Sequence, residues 1–575
     1  MALPSRLLIV TVLLLAACSS RSPDAAPPAA SASTPQPMAP MAAMNAVPAT
    51  LAEWAQGAQL FDGLGSSHRK ISTSSVDAQA YFDQGMRLMW AFNHDESTRS
   101  FARAAELDPK CAICLWGVAL TVGPNYNLPM MAEPRAKVAF ESLERAKTLL
   151  GGASPAEREL IVALEARYPK PVALDPTTQM PVLEAYAAAL KKVAAHYPTD
   201  SDIQTMYAES LMNLNAWKLW TPDGKPAPGT EEIVRTLEGV LARDPTHPGA
   251  NHYYVHTIEA SPHPERAVAA AERLTGMMPA AGHLEHMPAH IMQRVGRYED
   301  SAEANRKGAA ADSAYLAKTR PIDYYPMYVG HNYQFLGYST AMEGRRAETL
   351  DAMQKFRASI TDEAMLSMPG TDWFGAEPYF ALVRFGLWDQ VLAEPAPNPA
   401  LKTMTGGYLY ARVTALAAKG RVAEARETLT RLESLRAALP KDALAGFNTA
   451  DDVLALAIEL GKASLELAAN DRNAGIATLT AAVALEDKLA YNEPADWFFP
   501  VRHLLGAELI RAGRNAEAEA VYREDLRRNP RNGWSLFGLA QSLRAQQKAA
   551  DADRTEAEFR EAWARADVKL TASAM

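Results

Sequence analysis

The sequence predicts an all-α fold built from stacked helical hairpins, and three observations lead there. Hydrophobic residues make up 48% of the chain and charged residues 22%, which leaves apolar surface enough for a packed core. Leu, Ala, Glu and Arg are abundant while β-branched runs are scarce, which favours helix, and no stretch of useful length alternates with period 2. Four segments then repeat one punctuation: Gly296-Arg297-Tyr298-Glu299-Asp300-Ser301, Gly344-Arg345-Arg346-Ala347-Glu348-Thr349, Gly420-Arg421-Val422-Ala423-Glu424-Ala425 and Gly513-Arg514-Asn515-Ala516-Glu517-Ala518. The glycine permits the tight turn that ends one helix, and the small residue five places on lets the next helix pack closely. A single helical pair cannot bury its own apolar face. Stacked neighbours must supply the core, so 51–575 reads as one solenoid rather than as separate domains.

Residues 1–18 read as an address. Arg6 precedes the apolar run Leu7 to Leu15 and then Ala16-Ala17-Cys18, the pattern of an export signal and too short to span a membrane. Leu15-Ala16-Ala17-Cys18 resembles the lipobox of bacterial lipoproteins. That resemblance implies cleavage before Cys18, acylation of its sulfur and a lipid-anchored place in the bacterial cell envelope. Ser20, in place of an acid, favours the outer membrane by the same resemblance. Residues 19–50 are rich in Ala, Pro and Ser with little charge, and read as a disordered tether. No later segment has 18 uninterrupted apolar residues, so the lipid is the only membrane attachment expected.

The first clear repeat, 78–111, has Gly85, Phe101, Ala104 and Pro109 at positions 8, 24, 27 and 32. The last, 499–532, has Leu505, Gly506, Gly513, Ala518, Tyr522 and Pro530 at positions 7, 8, 15, 20, 24 and 32. This resembles the tetratricopeptide (TPR) repeat, a 34-residue helix-turn-helix unit, degenerate here between the ends and interrupted at 123–134, 217–229, 369–378 and 394–399. The resemblance implies a right-handed superhelix whose concave groove, lined by the first helix of each unit, holds a peptide or protein partner. The 217–229 insertion, with Trp217 and Trp220, is expected either to fold over that groove or to form a wide surface loop. Phe61-Asp62-Gly63-Leu64-Gly65, Phe92-Asn93-His94-Asp95-Glu96 and Gly123-Pro124-Asn125-Tyr126-Asn127 resemble segments of exported bacterial TPR proteins, which adds fold but no reaction. His94, Asp95 and Glu96 are expected to cap and solvate a helix–helix turn.

Cys111 and Cys114 are the cysteines left after Cys18, and they follow Asp108-Pro109 at the start of a helix. In an oxidising compartment they are expected to form a structural disulfide or to pack as thiols. A thioredoxin-like role lacks its strand–helix pattern, and no histidine follows Cys114 for haem attachment.

Seven of the 12 histidines fall between 247 and 290, and two pairs, His252 with His256 and His286 with His290, lie 34 residues apart member for member. The i, i+4 spacing puts each pair on one helical face. In the repeat register they occupy positions 5 and 9 of adjacent units, with His283 and His331 at position 2 on the same face. Neighbouring helix axes lie roughly 8–10 Å apart, a gap imidazoles can span, so His252, His256, His286, His290 and His331 are candidate ligands of one transition metal. All-imidazole ligation suits copper or zinc, and iron if a carboxylate such as Glu259 or Glu285 joins. His247 and His263 precede prolines and read as loop residues outside the site. His252-Tyr253-Tyr254-Val255-His256 is not HExxH, so a zinc peptidase is not indicated. Pro288 is a complication, because it favours a helix starting near Met287 and would leave His286 at the cap. Tyr324, Tyr325, Tyr328, Tyr333 and Tyr338 beside the cluster read as core or groove lining.

A net charge of −9 and a pI near 5.8 give no basic footprint, so nucleic acid is not an expected partner. Two functions remain in view. One is a groove-binding scaffold that carries a His-rich metal site. The other is a copper- or iron-dependent enzyme using His252, His256, His286 and His290.

Overall fold

The turn glycines set the architecture. Gly296, Gly344, Gly420 and Gly513 all adopt left-handed backbone, with φ between +71° and +77°, and each joins the helix before it to a helix opening two residues later. A computed structural model describes residues 47–175, 178–319 and 325–575. The export signal, Cys18, nearly all of the 19–50 tether, and Tyr324 lie outside them. The described chain is a TPR-like helical-repeat superhelix. Its one pair of strands, among the described residues, is a short antiparallel hairpin in which Leu444 faces Thr449 and Ala445 faces Asn448. No described helix is long and apolar enough to cross a membrane.

The two best repeats explain the residues that marked them. Helices Val76–Trp90 and His94–Leu107 form the first hairpin, and Val501–Arg511 and Asn515–Arg528 the last of the two. In the first, the Phe101 ring lies so close that a Cβ on Gly85 would meet it at 2.6 Å and one on Gly117 at 2.5 Å. In the second, Tyr522 is held in the same way between Gly506 and Gly538, at 2.3 and 2.2 Å. A glycine on each flanking helix thus makes room for one buried aromatic, a side chain whose burial stabilises the fold by about 1.5–3 kcal/mol.

Most of the core lies in a large apolar cluster from Trp54 to Tyr328 and a second from Tyr298 to Leu570, with two small clusters around Phe335 and Leu336. The solenoid also turns back on itself. Trp534 Nε1 donates to Ala341 O at 2.8 Å, and the carboxylate of Asp567 accepts from the backbone N–H groups of Arg346 and Ala347. Gly296 lies under Pro530, where a Cβ would meet its carbonyl oxygen at 2.3 Å. This return brings the segment around Glu493 against the histidine-bearing helices.

Candidate metal centre

The helix Pro248–Ile258 carries the first histidine pair. Pro248 sits in its first turn, and His247 caps it by accepting from Ala250 N–H at 3.0 Å. Every residue of this helix is buried. Gly249 lets Trp90 approach, since a Cβ there would lie 2.5 Å from the indole. The second pair straddles a break, with His286 ending the helix Gly282–His286 and His290 inside Pro288–Arg294. Met287 keeps helical angles (φ −52°, ψ −34°), so Pro288 starts a new helix without turning His286 away. The Nε2 atoms of His286 and His290 are 2.7 Å apart. His331 comes from Pro326–Met342, its ring centroid 4.8 Å from that of His286.

These side chains fall into two groups rather than the single group that the repeat register suggested. Nitrogens of His252, His256 and His283 lie within 4.8 Å of one another, and those of His286, His290 and His331 form a separate set by the same measure. Glu259, His290 and Glu493 make a third, overlapping group. His283 therefore completes the first pair and His331 the second. Glu493 was not signalled by the sequence at all. Glu285 faces away and accepts from Gly276 N–H.

The ring nitrogens have a consistent polarity. His252 Nδ1 lies 2.5 Å from Trp90 O, His256 Nδ1 2.9 Å from Glu259 Oε1, and His286 Nδ1 2.7 Å from Asn305 Oδ1. His290 Nδ1 lies 2.6 Å from Glu259 Oε2 and also contacts Glu493, while His331 Nδ1 is 3.3 Å from Gln334 Oε1. The amide nitrogens of Asn305 and Gln334 donate elsewhere, to Ser301 O and Glu377, which fixes their oxygens toward the rings. All five partners are acceptors, so each Nδ1 carries a proton and donates it. The Nε2 atoms of the rings that hold no second proton are left as lone-pair sites. Those of His252 and His256, and both nitrogens of His283, are buried with no hydrogen-bond partner. A buried polar atom without a partner costs about 1–3 kcal/mol, and three such residues in one place ask for a common cation.

Electrostatics supports the same reading. Burial holds His252, His283 and His286 well below the ordinary histidine range. Burial together with the neighbouring His290 charge brings His256 down to about 3 and His331 to about 4. These rings are neutral at pH 7, the form that binds metal. His290 is the exception. Burial opposes its charge, but Glu493 and Glu259 outweigh that and push it up to about 10. Its imidazolium then donates from Nε2 to His286, so a proton sits where two lone pairs would otherwise meet.

A cavity of about 240 Å³ opens onto the cluster, with His256, His283, His290, His331 and Glu493 in its floor. Its walls are mostly apolar, including Phe374, Met365 and Met368, with Asn127, Gln334 and Asn492 among them. Trp217, from the 217–229 insertion, stands edge-on to His256 with centroids 5.8 Å apart and stacks on Phe447 at 5.6 Å. The insertion therefore lies over the histidines. Tyr328 stacks on His283 at 4.3 Å, as a lining residue.

The other candidates lie elsewhere. His247 is buried against Asp202 at 3.1 Å, and His263 is exposed beside Glu265. His94, Asp95 and Glu96 are buried rather than solvated, a correction: Asp95 pairs with Arg135 at 2.7 Å, and Glu96 accepts from Tyr315 at 3.0 Å. The first repeats need these acids as partners for buried Arg and Tyr side chains, a long-range demand that a local turn motif does not reveal. Cys111 and Cys114 are joined as a buried disulfide, and Cys111 caps the helix Ala112–Thr121.

No protein-family model matches the chain, and no curated protein does. Among solved structures it resembles the human IFIT1 dimer with m7Gppp-AAAA, at 12% identity and TM-score 0.31 over 78% of this chain and 90% of that one. It resembles the Cut9–Hcn1 hetero-tetramer of the APC/C at 12% and 0.29, covering 87% and 76%, and yeast Tom70 at 11% and 0.28, covering 84% and 96%. Likenesses of that size leave the function to be argued from this chain's own residues.

Proposed function

We propose that the chain is a transition-metal protein that holds late divalent ions, copper or zinc, on buried imidazoles and acts on a molecule bound in the adjoining apolar pocket. One observation carries this reading: five histidines each direct Nδ1 at an oxygen, which turns their Nε2 atoms toward one another beside the pocket. Metal-bound histidines are oriented in this way, by an acceptor behind the ring. Imidazole ligation suits copper and zinc, and Glu493 in the pocket floor would also accommodate iron. A bound ion would supply Lewis acidity, or one-electron chemistry if it is copper or iron. The residues supply the rest: imidazoles as ligands, with His290 giving up its Nε2 proton to bind, Glu259 as orienting acceptor, and Trp217 with Phe447 as a cover over the site.

The test is elemental analysis of the purified full-length chain, with and without His252→Ala and His256→Ala together. Near-stoichiometric copper, zinc or iron, reduced in the double variant, supports the proposal. Protein that stays metal-free after incubation with each of these ions and desalting sinks it.

A second reading, a scaffold for a peptide, is supported by exposed apolar side chains: Met327 and Phe447 line the pocket, and Leu366 and Leu444 are exposed nearby in sequence to other lining residues. Its mark is affinity for a polypeptide that persists after chelation. The place proposed for either protein is the bacterial envelope, lipid-anchored through Cys18, on the strength of Leu15-Ala16-Ala17-Cys18. Incorporation of radiolabelled palmitate that is lost in Cys18→Ala tests this.

A further inference from the structure

We infer that the centre binds two ions, one on His252, His256 and His283 and the other on His286, His290 and His331, with Glu259 as the joint between them. The inference rests on the metal reading above and adds its stoichiometry.

Four observations carry it. The two sets share no member, and among the described residues no group of three that mixes histidines of both meets the spacing that each set satisfies alone. One ion bonded at about 2.0–2.1 Å to each nitrogen has therefore no position from which it holds three histidines drawn from both. Each set has three imidazoles, the protein complement of a site with an open position. In the first set the lone pairs of His252 and His256 are without partners, as are both nitrogens of His283. In the second, the Nε2 atoms of His286 and His290 lie 2.7 Å apart and share a proton that a bound ion would displace, while their Nδ1 atoms are committed to Asn305 and Glu259.

Glu259 ties the sets together. One carboxylate oxygen takes His256 of the first and the other takes His290 of the second. The sets are neighbours, with ring centroids 5.7 Å apart for His256 and His290 and 5.9 Å for His283 and His286. Two dications this close require anionic compensation, and Glu259 and Glu493 are both buried at the seam. The pocket meets both sets, His256 and His283 on one side and His290 and His331 on the other. His252 and His286 lie behind. A small molecule in the pocket faces both ions at once, so a ligand with one or two donor atoms and an apolar body is the class that fits.

The experiment uses cobalt(II) and copper(II) as probes on the full chain after chelator treatment and desalting. Bound cobalt is counted by elemental analysis and followed by its visible d–d absorption. Wild-type protein is expected to saturate at two equivalents, His283→Ala and His331→Ala at one each, and the double variant at none. Copper(II) bound to wild type is expected to show an electron paramagnetic resonance signal broadened or diminished by its neighbour, and each single variant an ordinary isolated-copper spectrum. A wild-type plateau at one equivalent, or either single variant falling to none while keeping its helical circular dichroism, overturns the two-ion inference and leaves the metal reading standing. No binding to wild type overturns both. The wild-type count needs no substitution, and His283→Gln and His331→Gln replace any alanine variant that fails to fold.

Discussion

Oε2 of Glu259 lies 2.6 Å from Nδ1 of His290, and both groups are buried. Its other oxygen serves His256, so one side chain at the end of the Pro248–Ile258 helix orients rings from two sets. Glu259→Gln keeps the shape but turns one acceptor into a donor, leaving one imidazole facing an N–H. Metal affinity is expected to fall about 10–100-fold, the usual effect of losing an outer-shell acceptor. Competition against a chromophoric chelator measures it, and an unchanged affinity would remove Glu259 from this role.

Gly282 lies against Asp312, where a Cβ would come 1.9 Å from a carboxylate oxygen. Asp312 is buried and accepts from Tyr325 at 2.7 Å and Asn332 at 2.8 Å, so it has little freedom to retreat. Gly282→Ala is expected to cost about 1–3 kcal/mol, as overpacking does, and to lower metal loading because His283 and His286 share its helix. A shift of the urea midpoint, with metal content measured alongside, checks both parts.

The Cys111–Cys114 disulfide closes a loop with a sequence separation of 3, so it removes little entropy from the unfolded chain. Cys111→Ser with Cys114→Ser is expected to cost about 2 kcal/mol on the chain-entropy relation. Metal content should not change, because the pair belongs to another part of the core. Loss of bound metal in the double variant would tie the cysteines to the centre.

Asp525 gives a pH signature remote from the histidines. Burial opposes its charge, but attraction to His503 and hydrogen bonds from His503, Ser535 and Asn529 outweigh it and hold the carboxyl at about 2, below the ordinary 3.8. A folded pKa below the unfolded one adds stability that is fully present above pH 3.8 and disappears as pH falls toward 2. The amount is on the order of 2 kcal/mol. In Asp525→Asn the drop in unfolding free energy between pH 6 and pH 2 should shrink by about that amount. Equal drops in both proteins would contradict the assignment.

The helices were legible in the sequence because a turn glycine and a small residue five places on are local requirements, and Gly296 or Gly513 states them without help from the rest of the chain. The histidine pairs were legible for a related reason: i, i+4 spacing and the 34-residue offset describe one helix and its neighbour. What escaped was set by distances the repeat period does not encode. The repeat register put His252 and His286 on matching faces, but they fall in separate sets. Pro288 gave a true helix start, yet the helical angles of Met287 keep His286 in place. Glu493 lies in a segment without helical pattern and arrives only through the closure of the superhelix. Asp95 and Glu96 looked like turn solvation because their Arg135 and Tyr315 partners are far along the chain.

The contact between His290 and Glu493 joins residues 203 positions apart. Ribosomal synthesis delivers the imidazoles and Glu259 long before Glu493, so a nascent or truncated chain presents the rings with one of their two anionic partners missing. Occupancy would then report that the whole array has been made and closed. A chain clipped upstream of Glu493 should be recognisable by its leaky hold on metal, even with every histidine intact.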